Sequence, residues 1–258
     1  MSMPVGPIWA MGHLMIKFPL VSAALATSLY FYVQEDSKAM VAITFDDGWR
    51  SVHEIALPEM TQRGMVGTNY ITTDFVTSGD PRYITQEQLH DFVVASWEIG
   101  AHSLAHDDLT TLNEEEVIRN IYLPQMFLSD WIGHPVTTFS TPYGSFNDMI
   151  LGHADSAYIT HVNAWSDAYG MNTPDTFNPN NINRIDTANI SVPELCEVFA
   201  ALQDNEFYAI IFHQITDVPG DYSMSPEDFY AVLDCIEDSN VQTVTISQGT
   251  LAMQDAAQ

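Results

Sequence analysis

Positive charge is scarce in this chain: 7 lysines and arginines stand against 34 aspartates and glutamates in 258 residues, a formal net charge of -27. Such a balance repels a phosphate backbone and excludes nucleic acid as a partner. The acidic residues are spread along the sequence and form no tail. They are expected to make a solvated, self-repelling surface suited to high ionic strength, where screening removes the penalty. Cysteine is scarce as well, with only Cys196 and Cys235, in separate predicted helices. Neither spacing nor neighbours suggests a metal cluster or a nucleophile. Two buried thiols are the expectation, and a single disulfide in an oxidising compartment is the alternative. A long apolar run is also missing, because the uncharged stretch 18–33 is shorter than the roughly 20 residues of a membrane span. Beyond residue 40 there is no internal repeat, low-complexity tract or linker, and the polar, Asn- and Pro-rich stretch 172–183 is the longest loop.

Residues 1–35 differ from the rest. Lys17 precedes the apolar stretch 18–33, and Ala24-Leu25-Ala26 offers small residues at signal-peptidase spacing, so this segment reads as a secretory signal. An uncleaved membrane anchor is the second reading, and an extra strand at Ser28-Leu29-Tyr30-Phe31-Tyr32-Val33 the third. Residues 36–258 form the expected folded domain, long enough for one large α/β core. From Val41 onward, strands and helices alternate as in a parallel sheet with covering helices. Strands are predicted at 41–45, 67–72, 97–102, 136–140, 207–212 and 241–246. Helices are predicted at 51–63, 85–96, 113–129, 193–205 and 226–239.

Thr44-Phe45-Asp46-Asp47-Gly48 ends the first of these strands with two adjacent carboxylates. Alone, Asp-Asp-Gly is an ordinary turn. At a strand end, two carboxylates that repel each other suit a division of labour, one binding a cation and the other handling protons. His102-Ser103-Leu104-Ala105-His106 also follows a predicted strand, and histidines four apart reach a common ion if the segment turns helically. An Asp and two His with open positions suit Zn²⁺ or another divalent ion such as Co²⁺ or Ni²⁺.

Thr-Phe-Asp-Asp-Gly at 44–48, His-Ser-x-x-His at 102–106, Thr-Pro-Tyr-Gly at 141–144 and Ile-Phe-His at 211–213 resemble, in this order, the polysaccharide deacetylases with a NodB homology domain, carbohydrate esterase family 4. The likeness spans about 40–246 and includes Ser96-Trp97-Glu98-Ile99-Gly100-Ala101-His102. It implies a deformed, TIM-like (β/α)7 barrel, and metal-dependent removal of N-acetyl groups from an amino-sugar polymer of the chitin, poly-N-acetylglucosamine or peptidoglycan type. It further implies Asp47, His102 and His106 as metal ligands, Asp46 as general base, the Tyr143 backbone N–H as oxyanion donor and His213 as general acid. Ile211 would line an acetyl-methyl pocket, with Pro142 as a further substrate contact, and the aromatics Trp49 and Tyr143 could line a sugar subsite, since flat apolar faces pack against pyranose rings. Trp165 is another aromatic that could face a sugar, although an isolated tryptophan is more often core. His53, His90, His134, His153 and His161 have no motif support and read as surface or helix histidines.

The sequence departs from the family pattern at Ser140, where many members carry an arginine that orients the base. It also lacks the usual Asp-Trp motif and has Asn183-Arg184-Ile185-Asp186 in its place. Both departures resemble a branch acting on poly-N-acetylglucosamine, and Arg184 is expected to reach Asp46 from a different strand. The partner implied is an N-acetylated glycan, and an acidic surface could also attract cationic, partly deacetylated chains. The location implied is secreted or envelope-associated, with membrane association only through 1–35. A small-molecule amide or imide hydrolase and a non-catalytic glycan-binding module are the competing readings.

Overall fold

A computed structural model describes residues 38–163, 169–218 and 220–256. The segment 1–35 and Trp165 lie outside the described residues. The strands are β1 (Met40–Phe45), β2 (Thr68–Ile71), β3 (Glu98–Ala101), β4 (Thr138–Ser140), β5 (Thr160–Asn163), β6 (Met171–Asn172), β7 (Ile182–Asn183), β8 (Ile185–Asp186), β9 (Phe207–Phe212), β10 (Gln214–Ile215), β11 (Ser223–Met224) and β12 (Gln242–Val244). The helices are α1 (Leu57–Gln62, entered through a π-helical turn, Val52–Ala56), α2 (Thr73–Thr77), α3 (Leu89–Val94), α4 (Glu114–Ile132), α5 (Asp148–Ala157), α6 (Val192–Ala201), α7 (Pro226–Asp238) and α8 (Ile246–Ala256).

One sheet runs β6-β9-β1-β2-β3-β4-β5-β7, with β8 also on β9 and β12 also on β1. All pairs are parallel except β6 with β9. The sheet curls into a deformed, nearly closed barrel with helices around it. Its seam is the short run 182–186: β7 pairs with β5 at one end of the sheet, and β8 pairs with β9 near the other. Arg184 is the single residue between them. Asn172 fastens the seam, donating from Nδ2 to the carbonyls of Asn183 and Phe207 and accepting from the Asn183 N–H at 2.9 Å.

Alternation along β1 splits the apolar residues into two cores, as a period of two requires. Val41, Ile43 and Phe45 join the layer between sheet and helices, while Met40 and Ala42 face the barrel interior with Tyr70, Val162, Phe207 and Val244. Close approach inside the barrel makes Gly100 necessary, since a Cβ there would lie 2.4 Å from the Tyr70 ring. The long helix α4 begins where Asn113 and Glu116 cap each other and three glutamates meet the positive end of the helix dipole. It runs on to Ile132, past the expected end at 129, and stops at Gly133 in the left-handed conformation.

Several expectations need correction. Cys196 and Cys235 are not separate thiols; they form a disulfide joining α6 to α7. His161 is no surface residue, because it lies on β5, buried, with its ring 5.9 Å from Phe139 and 6.1 Å from Phe146. The helix predicted at 85–96 is regular only over Leu89–Val94. The last strand ends at Val244, and Ile246 already opens α8. Glu98 holds that turn by accepting from the Ser247 N–H at 3.1 Å and from its hydroxyl.

Candidate active site

Asp46 and Asp47 follow β1, His102 follows β3, Tyr143 follows β4 and His213 follows β9, so the C-terminal strand ends bring the expected residues to one face. The backbone is strained there. Four of the eight described non-glycine residues with positive φ are Asp47 (79°), Ser103 (63°), His106 (61°) and Tyr143 (59°). Such conformations persist where the surrounding structure over-determines them, often at functional sites.

Asp47, His102 and His106 form a cluster whose ligand atoms lie within 4.8 Å of one another. Asp47 Oδ1 is 3.1 Å from His106 Nε2 and 3.5 Å from His102 Nε2, and it is buried without a hydrogen-bond partner. His102 Nδ1 is 2.8 Å from the Ser140 carbonyl, which can only accept, so the proton sits on Nδ1 and the Nε2 lone pair faces the cluster. Burial is the main force lowering the His102 pKa to about 4, against the pull of the aspartates, and it keeps the ring neutral as a metal ligand must be. For His106 burial acts downward too, but the Asp47 carboxylate outweighs it and the pKa rises. Burial would raise Asp47, yet His106 and the neighbouring imidazoles lower it. An orphaned carboxylate oxygen facing two imidazole nitrogens fits a divalent cation.

Asp46 is held differently. Arg184 donates from Nη1 to Oδ1 at 2.9 Å and from Nη2 to Oδ2 at 3.0 Å. Ser140 Oγ donates to Asp46 Oδ2 at 3.2 Å and accepts from Arg184 Nη2 at 2.6 Å. The guanidinium also donates to Thr44 Oγ1 at 2.9 Å and lies 5.0 Å over the Tyr70 ring. Arg184 is 1% exposed, so this charge is fully desolvated and paired. Burial pushes the Asp46 pKa up, but Arg184, followed by His102 and His213, holds it far below the usual carboxylate range.

His213 directly follows β9. Its buried Nδ1 has no hydrogen-bond partner and stands 3.7 Å from Asp186 Oδ2. Asp186 was not among the expected site residues; its signal was position, two residues after Arg184 on an extended segment and so on the same face. Its pKa is raised, mainly by burial and against the pull of His213. Ile211 and Pro142 are buried nearby in sequence to His213 and Tyr143. The Tyr143 side chain is exposed, with its ring 4.7 Å from His106. Trp49 is half-buried, and its indole donates to Asp47 Oδ2 at 2.9 Å.

A nearly closed α/β barrel carrying a buried Asp-His-His cluster at its C-terminal strand ends defines the class, a barrel protein equipped for a divalent metal. The chain belongs to the polysaccharide deacetylase family, whose model matches residues 33–162. That match includes Asp46, Asp47, His102, His106 and Tyr143 and stops short of Arg184, Asp186 and His213. Chitin deacetylase 1 of Cryptococcus neoformans var. grubii is 24% identical over 57% of this chain and 30% of its own length. The chain spans less than half the length of the curated relatives it matches. Among solved structures, the peptidoglycan deacetylase PdaC of Bacillus subtilis is similar with a TM-score of 0.61 and 20% identity, over 86% of this chain and 95% of that one. BA3943 of Bacillus anthracis, a family 4 pseudoenzyme, is similar at 0.58 and 16% identity, over 84% of this chain and 66% of that one. At these identities the structural likeness shows the fold alone.

Proposed function

We propose that this protein is a metal-dependent N-deacetylase of a β-linked N-acetylglucosamine polymer. The observation that carries the reading is the division between the two adjacent aspartates: Asp47 faces the imidazoles, while Asp46 is tied to Arg184 and kept ionised beside them. Asp47, His102 and His106 would hold the ion, with Zn²⁺ as the first candidate. A bound divalent ion polarises the acetamide carbonyl and acidifies water at the site.

The chain's own residues then divide the proton work. Asp46 takes the proton from the attacking water. The Tyr143 N–H, presented by the left-handed turn at 142–144, donates to the developing oxyanion. His213 delivers a proton to the leaving nitrogen, with Asp186 facing its Nδ1 across 3.7 Å. The products are acetate and a free amine. Arg184 orients Asp46, the task that an arginine at Ser140 performs in relatives, and this substitution favours the poly-N-acetylglucosamine branch. Ile211 and Pro142 would bound the acetyl methyl. The disulfide suits an oxidising compartment and thus a secreted or envelope location. Among the described residues, no helix is long and apolar enough to cross a membrane.

Acetate release by the Zn²⁺-loaded protein from chitin oligomers, poly-N-acetylglucosamine, peptidoglycan and acetylated xylan is the test. Asp46→Asn should lose orders of magnitude in rate while still taking up Zn²⁺. Full acetate release by that variant would overturn the mechanism. Absence of release from every glycan by metal-loaded protein would favour a binding module.

A further inference from the structure

We infer that Trp49 is a positioning residue for Asp47, selecting which carboxylate oxygen faces the metal, an inference that rests on the metal-site reading above. The indole N–H can only donate, and it donates to Asp47 Oδ2 at 2.9 Å. The other oxygen, Oδ1, is buried and has no hydrogen bond, and it is the one that lies 3.1 Å and 3.5 Å from the two imidazoles. A carboxylate torsion is broad and nearly two-fold, so without an outside contact the two oxygens would exchange easily. The indole removes that freedom before any ion arrives.

Trp49 is itself held in place. It forms an antiparallel bridge with Tyr83, and the two rings are 4.9 Å apart. Backbone bonds from Arg50 to Arg82 at 2.8 Å and from Ile84 to Gly48 at 3.0 Å dock the segment around Tyr83 onto the turn that carries Asp47. Tyr83 stacks on Phe75 at 4.3 Å, and Phe75 on His106 at 5.9 Å. An aromatic arc therefore starts at the donor that orients one ligand and ends on the ring of another. A sugar platform needs an open ring, whereas Trp49 has one side against Tyr83 and its polar edge on Asp47. Its position makes it part of the support of the metal site, and partners of this kind commonly change metal affinity 10- to 100-fold.

Trp49→Phe removes the donor and keeps a ring to pack on Tyr83. Zn²⁺ binding to the full chain, measured by competition with a chromogenic chelator, should weaken about 10- to 100-fold. The rise in melting temperature on adding Zn²⁺ should shrink in parallel, and rate lost at limiting Zn²⁺ should return as Zn²⁺ is raised. A folded Trp49→Phe with unaltered Zn²⁺ affinity and a raised KM for an N-acetylglucosamine oligomer would overturn the inference and make Trp49 a sugar contact. Should that variant fail to fold, wild-type protein labelled at its 5 tryptophan indole nitrogens carries the test. The indole N–H signal showing Overhauser contact to a tyrosine ring should shift on Zn²⁺ addition, and no shift would overturn the inference. Wild-type protein that takes up no Zn²⁺ would refute the metal-site reading itself, a result distinct from both.

Discussion

Arg184 and Asp46, 138 residues apart, meet in a two-pronged ion pair with bonds of 2.9 Å and 3.0 Å, both partners buried. The pair spans the barrel's closing seam on one side and the end of its first strand on the other.

Removing the cation from that pair should cost more than removing a surface charge. Arg184→Met leaves the Asp46 carboxylate desolvated and alone, with an expected loss of about 3–5 kcal/mol in unfolding free energy. Urea melts measure it. The double variant Arg184→Ser with Ser140→Arg, which moves the guanidinium to the hydroxyl position that contacts the same carboxylate, should recover part of that loss and part of the acetate-releasing activity. No recovery in either measurement would show that the seam residue has a task beyond supplying charge.

Asp186 should matter for turnover and not for the metal. It faces His213 at 3.7 Å and touches none of the three clustered ligands. Asp186→Asn is expected to lower kcat by roughly 10-fold or more, within the scale of general acid catalysis, with Zn²⁺ affinity unaltered. A parallel drop in Zn²⁺ affinity would count against its assignment to His213.

The disulfide closes a loop of 39 residues between Cys196 and Cys235. Chain-entropy arguments put its contribution at roughly 3–4 kcal/mol for a loop of that length. Cys196→Ala/Cys235→Ala should therefore melt about 6–16 °C lower, at 2–4 °C per kcal/mol for a domain of this size. Calorimetry in parallel with untreated and reduced wild-type protein checks the figure, and identical melting temperatures would contradict it.

Acid should unfold the protein partly through His161. Burial lowers its pKa from 6.5 to about 4, and Arg184 contributes in the same direction. The unfolded chain then binds the proton first, so stability from this site is full above pH 6.5 and is lost as the pH falls to about 4, by up to roughly 3 kcal/mol. His161→Asn should flatten the decline in melting temperature over that window relative to wild type. An equally steep decline in the variant would assign the acid sensitivity elsewhere.

Local chemistry makes much of this protein legible in its sequence. The strand at 207–212 is apolar and β-branched or aromatic along most of its length, and the helix at 226–238 has Ser225 and Pro226 at its start; both have the bounds expected within a residue. The histidine at 102 and the paired aspartates announced themselves by following a strand; His106 joins them although the segment 102–106 is not helical, because left-handed backbone at Ser103 and His106 turns it back. Short elements were another matter. The two-residue strands β7 and β8 exist because β5 and β9 are there to pair with them, and no periodicity can show in two residues. His161 looked like a surface residue because its burial depends on Phe139 and Phe146, which the fold brings from other parts of the chain.

By itself the sequence determined the longer strands and helices of the alternating pattern, the acidic balance and the residue types available at the strand ends, since each depends on neighbours a few positions away. Only the tertiary structure decided that the cysteines join, that Asp186 faces His213, and that Arg184, expected to reach Asp46, does so through two bonds. These are contacts between segments far apart in the chain, brought together by the nearly closed barrel and the helices around it. Their strength comes from burial, which makes a pairing at 2.9 Å count for more than it would in water and which no stretch of sequence carries on its own.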